Sequence, residues 1–89
     1  MNEAKPMVFV VDDDDSVRKA LTRLIQSVGI KVECFASAEA FLLRQRYEGP
    51  CCLILDIRMP GRSGLDLQEE LTKAELTLPI IFVTGHGTI

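Results

Sequence analysis

The fold is decided by residues 7–21, MVFVVDDDDSVRKAL, where an apolar segment, four aspartates and a helical pattern follow one another. Residues 7–12 have the length and composition of a strand that is buried on both faces. From Val17 to Val28, apolar residues recur with the i, i+3, i+4, i+7 spacing of one helix face. Because neighbouring carboxylates repel one another, four aspartates between these elements indicate helix capping, a cation site, or both.

The rest of the chain repeats this alternation. Residues 30–35 alternate in polarity and predict a half-exposed edge strand, after which Ser37 can cap a second helix. Residues 51–57 form a second continuous apolar segment, followed by a turn-rich loop over 58–64 and a third helix. Residues 79–85, PIIFVTG, contain the third such segment. The order strand–helix–strand–helix–strand–helix–strand predicts an α/β protein whose parallel sheet is covered by helices on both faces.

Composition limits the possible function classes. The chain has 89 residues, of which 47% are hydrophobic and 26% charged, with a formal net charge of −3, as is typical of one small globular domain. The sequence has no basic patch of the kind that indicates direct contact with nucleic acid. Its apolar segments are also far shorter than the ~20 residues of a membrane span. Residues 1–7 lack the apolar segment of a signal peptide, so we expect a cytoplasmic location. Cys34, Cys51 and Cys52 have neither disulfide nor metal-ligand spacing.

Polar residues stand at the end of each apolar segment: Asp12 and Asp13 after the first, Asp56 after the second and Thr84 after the third. The carboxyl ends of parallel strands meet at one edge of the sheet, where open α/β proteins bind their ligands. With the strand order 2-1-3-4, Asp13 and Asp56 would face each other across a gap that one cation can bridge. A set of oxygen ligands favours Mg²⁺ or Mn²⁺ over zinc.

These motifs resemble the receiver domain of two-component response regulators. The resemblance is carried by the acidic pair after the first strand, by the pattern D-x-x-M-P-x-x-x-G from Asp56 to Gly64, and by IIFVTG at 80–85. It extends from Met7 to the last residue. The segments VDDDDSVRKAL, SAEAFL and VTGHG are similar to the FixJ-type branch, which is usually joined to a LuxR-type helix-turn-helix DNA-binding domain. The resemblance implies a flavodoxin-like, doubly wound parallel sheet with the strand order 2-1-3-4-5.

The resemblance also implies a role in phosphotransfer. Asp56 would accept a phosphoryl group from a phosphohistidine on a sensor histidine kinase, and the domain would not itself be an enzyme. Thr84 would contact the phosphoryl group and act as the switch residue. The implied Mg²⁺ ligands are Asp12, Asp13, Asp56 and the backbone carbonyl of Arg58.

The acidic segment also fits another class, the haloacid-dehalogenase-type phosphohydrolases, whose pattern hhhhD-x-D-x-[TV] is matched by Asp13, Asp15 and Val17. Asp13 would then be the nucleophile and Asp15 the general acid. Against this interpretation, the chain is short for that catalytic core, and Asp56 is left without a role. In the receiver interpretation, Asp14 and Asp15 instead begin the first helix, where carboxylates cap backbone amides and complement the helix dipole.

One departure from the receiver pattern concerns the C-terminal side. Receiver domains continue with a fourth helix, a fifth strand ending in lysine-proline and a last helix, whereas no lysine follows Thr84 here. We therefore expect residues 1–89 to form a partial, C-terminally truncated receiver domain, and a non-signalling fragment is a third interpretation. The fourth strand would be an exposed apolar edge, which favours homodimer formation or strand exchange.

Overall fold

The structure, a computed structural model, describes residues 5–44, 47–56, 69–70, 72–73 and 78–83. Residues 69–70 and 72–73 have helical backbone, in the segment where the sequence predicts the third helix. The remaining elements of the described part are β1 (Met7–Val11), α1 (Asp15–Ser27), β2 (Lys31–Phe35), α2 (Ala38–Leu42), β3 (Cys51–Asp56) and β4 (Ile80–Val83).

The four strands form one sheet in the order β2-β1-β3-β4, and every pairing is parallel. This confirms the predicted α/β class, the strand order and the placement of β2 at an edge. In the register of the two central strands, Met7 lies beside Cys51 and Val11 beside Leu55. The carboxyl ends of β1 and β3 are therefore level with each other, and the residues that follow these ends are brought together.

The core lies on the face of the sheet that α2 covers. Its buried members are Phe9, Val11, Ala38, Phe41, Leu53 and Leu55. The Phe41 ring of α2 packs against Phe9 of β1, with 5.5 Å between ring centroids, and against Phe35 of β2 at 5.4 Å. Ser37 caps α2 as predicted, because its side chain accepts a hydrogen bond from the Ala40 amide at 3.1 Å.

The first helix begins and ends where the sequence predicts. Asp14 is the N-cap residue, and its Oδ1 accepts hydrogen bonds from the amides of Ser16 at 2.8 Å and Val17 at 3.4 Å. Asp15 occupies the first turn, where a carboxylate complements the helix dipole. After the last turn, Gly29 adopts a φ of 81°, the left-handed conformation that glycine favours at a helix C-terminus.

The predicted apolar face of α1 is only partly packed. Thr22 Oγ1 lies 3.1 Å from Cys34 Sγ of β2, so this side of α1 contacts the sheet. Leu24 and Val28, however, are 65% and 69% exposed. The half-buried apolar residues are Val17, Leu21 and Ile25. These three follow an i, i+4, i+8 row along one side of the helix.

The last strand leaves apolar side chains exposed. Ile81 is 52% and Phe82 39% exposed, and β4 is an edge strand of the described sheet. This agrees with the expected apolar edge, while the homodimer or strand exchange that it favours stays a prediction. Among the described residues, none of the helices has both the length and the apolar character needed to cross a membrane.

Truncation of a core leucine tests whether β3 anchors the fold. Leu53 is 0% exposed and Leu43 is 87% exposed, so the two leucines form a matched pair. We expect Leu53→Ala to lower the free energy of unfolding by about 2–5 kcal/mol through lost burial and a cavity. Leu43→Ala is expected to change it by about 0.5 kcal/mol or less. Urea unfolding followed by circular dichroism measures both, and equal losses would contradict the assignment of the core.

Candidate metal centre

Three aspartates meet at the carboxyl ends of β1 and β3. Val11 and Leu55 are the last pair in the register of these strands, so Asp12 and Asp56 follow it side by side. One carboxylate oxygen from each of Asp12, Asp13 and Asp56 lies within 4.8 Å of the other two. Asp12 is 1% exposed and Asp56 is 0% exposed, whereas Asp13 is exposed. Two buried carboxylates and one that faces solvent therefore form a single acidic cluster.

The sequence predicts these three residues together, but it does not predict their order across the sheet. It places Asp13 opposite Asp56, and oxygens of these two carboxylates do lie within 4.8 Å of each other. In the backbone register, however, Asp12 is level with Asp56 and Asp13 is one residue farther along. The difference arises because strand length alone does not show which residue is the last to pair. Arg58 and Thr84, the other two predicted site residues, lie outside the described residues.

Three hydrogen bonds fix the orientation of Asp12. Its amide donates to the Phe35 carbonyl of β2 at 3.1 Å, and its carbonyl accepts from Arg18 Nη1 at 2.6 Å. Its Oδ1 accepts from the Asp14 amide at 2.9 Å. Asp12 is thus joined to β2 on one side and to the start of α1 on the other. Preorganised carboxylates of this kind need little reorientation before they bind a cation.

Asp15 interacts with basic residues of its own helix. Its carboxylate lies 3.1 Å from Lys19 Nζ and 3.2 Å from Arg18 Nη2. The hydrogen bond and charge of Lys19, followed by those of Arg18, hold the pKa of Asp15 below its usual value. Asp15 therefore stays ionised to lower pH in the folded chain than in the unfolded chain. Together with the Asp14 cap, this divides the four aspartates into two that join the cluster and two that begin α1.

The chemistry of the cluster suits a hard divalent cation. Like charges at ~4 Å repel by about 4 kcal/mol at an effective dielectric constant of 20, so three gathered carboxylates favour a bound cation. Oxygens bound to one Mg²⁺ at about 2.0–2.1 Å lie at most ~4.2 Å apart, so those of the cluster need only a small rotation or a bridging water. Every donor is a carboxylate oxygen, which suits Mg²⁺ or Mn²⁺ better than zinc.

Comparison with known proteins identifies the family. The sequence model of the protein family described as the response regulator receiver domain matches residues 8–89. The chain belongs to this receiver domain family. It is 47% identical over all 89 residues to the response regulator protein TmoT of Ectopseudomonas mendocina, and it spans 40% of that protein's length. It is 43% identical over the same length to the transcriptional regulatory protein FixJ of Azorhizobium caulinodans, of which it spans 42%.

Solved structures show the same receiver fold. The structure of response regulator StyR matches with a TM-score of 0.86 and 55% identity, over 97% of this chain and 43% of that one. The response regulator TrrA of Thermotoga maritima, solved in complex with Mg²⁺ and BeF, matches with a TM-score of 0.75 and 31% identity, over 86% of this chain and 67% of that one. The receiver family is thus confirmed as predicted. The match also decides against the haloacid-dehalogenase-type interpretation.

The repulsion within the cluster can be measured by its effect on the free energy of unfolding of the metal-free protein. In the presence of a chelator, we expect Asp56→Asn to raise the free energy of unfolding by about 1–4 kcal/mol, because it removes one of three neighbouring charges. The matched control is Asp15→Asn, which removes a carboxylate of the same acidic segment that is paired with Lys19 and Arg18. No stabilisation is expected there. Urea unfolding measures both variants, and a destabilised Asp56→Asn chain would contradict the electrostatic account.

Proposed function

We propose that the chain is the phosphoacceptor of a two-component signalling pathway and that Asp56 receives the phosphoryl group from a sensor histidine kinase. The observation that carries the proposal is the position of Asp56, at the end of β3 and within an acidic cluster. Its carboxylate has two neighbouring carboxylates with which it can share a cation. A carboxylate nucleophile needs a cation of this kind nearby, because the incoming phosphoryl group is itself anionic and would otherwise be repelled.

The proposed metal ligands are Asp12, Asp13, Asp56 and the backbone carbonyl of Arg58. Bound Mg²⁺ supplies positive charge that offsets the phosphoryl oxygens and the carboxylates themselves, and Mn²⁺ can serve in the same way. The oxygen-only donor set supports this assignment, as does the Mg²⁺–BeF complex of TrrA. The backbone contacts of Asp12 hold its carboxylate in place, while the exposed Asp13 leaves the cluster accessible from solvent.

In the proposed reaction, an Asp56 carboxylate oxygen forms a bond to phosphorus as the phosphorus–nitrogen bond of the phosphohistidine breaks. The histidine of the kinase keeps the electron pair of that bond and takes up a proton. The Thr84 hydroxyl then donates a hydrogen bond to an oxygen of the new phosphoryl group, and Thr84 acts as the switch residue. Val83, the residue before Thr84 in the chain, pairs with Asp56 in the register of β3 and β4, which supports this role. Because the phosphoryl group stays on the chain, the domain is a signalling element and not an enzyme.

The partners follow from the same proposal. The chain spans about 40% of the length of TmoT and FixJ, and we propose that residues 1–89 are the partial receiver domain of a transcriptional regulator. A C-terminal helix-turn-helix domain would contact DNA, while this chain makes no direct contact with nucleic acid. We place the protein in the cytoplasm, where a phosphorylated kinase and DNA are both accessible. Phosphorylation would then change how the receiver domain contacts the DNA-binding domain.

Phosphorylation by a small donor tests the function directly. With acetyl phosphate and Mg²⁺, we expect the wild-type chain to gain one phosphoryl group and Asp56→Asn to gain none, as intact mass spectrometry and peptide mapping can show. Asp13→Asn is expected to react much more slowly, because it lacks a metal ligand. The matched control Asp15→Asn should react like wild type.

Two results would contradict the proposal. A phosphoryl group on Asp13 in the Asp56→Asn variant would restore the phosphohydrolase-type interpretation. A folded wild-type chain that binds Mg²⁺ and yet accepts no phosphoryl group would support the non-signalling fragment.

A further inference from the structure

Arg18 lies beside the acidic cluster without belonging to it. Its Nη1 donates to the Asp12 carbonyl at 2.6 Å, and its Nη2 donates to Asp15 Oδ1 at 3.2 Å. The side chain is only 20% exposed. One guanidinium group therefore bridges the residue that follows β1 and the first turn of α1. The planar guanidinium can bind both acceptors at once, because its donors form a fixed fork.

The hydrogen bond from Arg18 to the Asp12 carbonyl restrains the backbone that carries the side chains of Asp12 and Asp13. The Asp12 carbonyl belongs to the planar peptide group that joins Asp12 to Asp13. A donor that holds this carbonyl fixes the peptide plane, and with it the direction in which Asp13 leaves the strand. On its other side, Asp12 is held by the Phe35 carbonyl of β2. Arg18 thus completes the immobilisation of the short connection between β1 and α1.

We propose that Arg18 is a positioning residue that holds Asp12 and Asp13 in the geometry required for Mg²⁺. This inference rests on the proposed function, because it assigns Mg²⁺ to the same cluster. Arg18 itself does not bind the ion. It acts through the Asp12 carbonyl, in the way that outer partners orient the ligands of other metal sites.

The two ways in which Arg18 can influence the cluster, by positioning the ligands and by its charge, predict opposite changes in Mg²⁺ affinity when Arg18 is removed. A guanidinium near the cluster repels a divalent cation, so its charge alone makes Mg²⁺ binding weaker, and its removal would tighten binding. If Arg18 positions the ligands, its removal weakens binding despite the lost repulsion. The sign of the change in affinity therefore separates the two roles.

Lys19 provides the matched control. It is the next residue of α1, carries the same charge and forms an ion pair with Asp15 Oδ2 at 3.1 Å. Its side chain is 69% exposed, and the hydrogen bond to the Asp12 carbonyl comes from Arg18. Lys19→Met therefore removes one positive charge and one contact with Asp15, but it leaves the positioning bond in place.

The experiment compares wild type, Arg18→Met and Lys19→Met at fixed ionic strength. Mn²⁺ binding is followed by electron paramagnetic resonance, Mg²⁺ is measured by competition, and circular dichroism verifies the helix content. We expect Arg18→Met to weaken Mg²⁺ binding about tenfold and Lys19→Met to change it by about twofold or less, because exposed charges are screened. In the metal-free protein, the Asp14 amide, which donates to Asp12 Oδ1, should exchange faster in Arg18→Met than in Lys19→Met.

Arg18→Lys provides a second arm, because it retains the charge but offers one ammonium group to two acceptors. We expect its affinity to lie between those of wild type and Arg18→Met. The inference is overturned if Arg18→Met binds Mg²⁺ as tightly as Lys19→Met or more tightly, or if Arg18→Lys binds as tightly as wild type. A wild-type chain without any Mg²⁺ site would instead contradict the proposed function, so the two failures are distinguishable.

Discussion

The repulsion among the carboxylates of Asp12, Asp13 and Asp56 is the constraint on which the rest of the site depends. The sheet creates it, because the parallel register that ends with Val11 beside Leu55 makes the next residues of both strands neighbours. Separating the two buried carboxylates, those of Asp12 and Asp56, would require β1 and β3 to separate. Those strands are held by a buried core, so the fold maintains an arrangement that is unfavourable without a cation. Under the proposed function, this cluster would bind Mg²⁺ and then, with Mg²⁺ in place, accept an anionic phosphoryl group.

The segment between β1 and α1 controls where those charges point. Asp14 has two functions, because its side chain caps α1 while its amide holds the Asp12 carboxylate. Arg18 holds the Asp12 carbonyl and also pairs with Asp15. Four consecutive aspartates are tolerated because they are not equivalent: two face the cluster, and two are engaged by the amides and basic side chains of the helix. The start of α1 is therefore part of the proposed metal site as well as part of the fold.

Much of this arrangement can be predicted from the sequence. Apolar segments without alternation indicate strands buried on both faces, which agrees with the buried residues of β1 and β3 but not with β4, where Ile81 and Phe82 are exposed. Polar residues at the ends of these segments predict a site at the carboxyl edge. The Asp14 cap follows from local preferences and is confirmed. Periodicity identifies the apolar side chains of α1, but it does not show which of them contact the sheet, and Leu24 and Val28 are exposed. The hydrogen bond from Arg18 to the Asp12 carbonyl cannot be predicted from the sequence. A long side chain that reaches a backbone carbonyl does not require any particular residue type or spacing at the acceptor.

The central claim is that one cation is shared by residues from two strands and that half of the aspartate segment takes no part in binding it. A Mg²⁺ titration followed by NMR of the aspartate side-chain carboxyl carbons tests this claim most directly. The account predicts that Asp12, Asp13 and Asp56 shift together with one dissociation constant, while Asp14 and Asp15 stay nearly unchanged. A titration in which Asp14 and Asp15 follow the ion and Asp56 does not would contradict it.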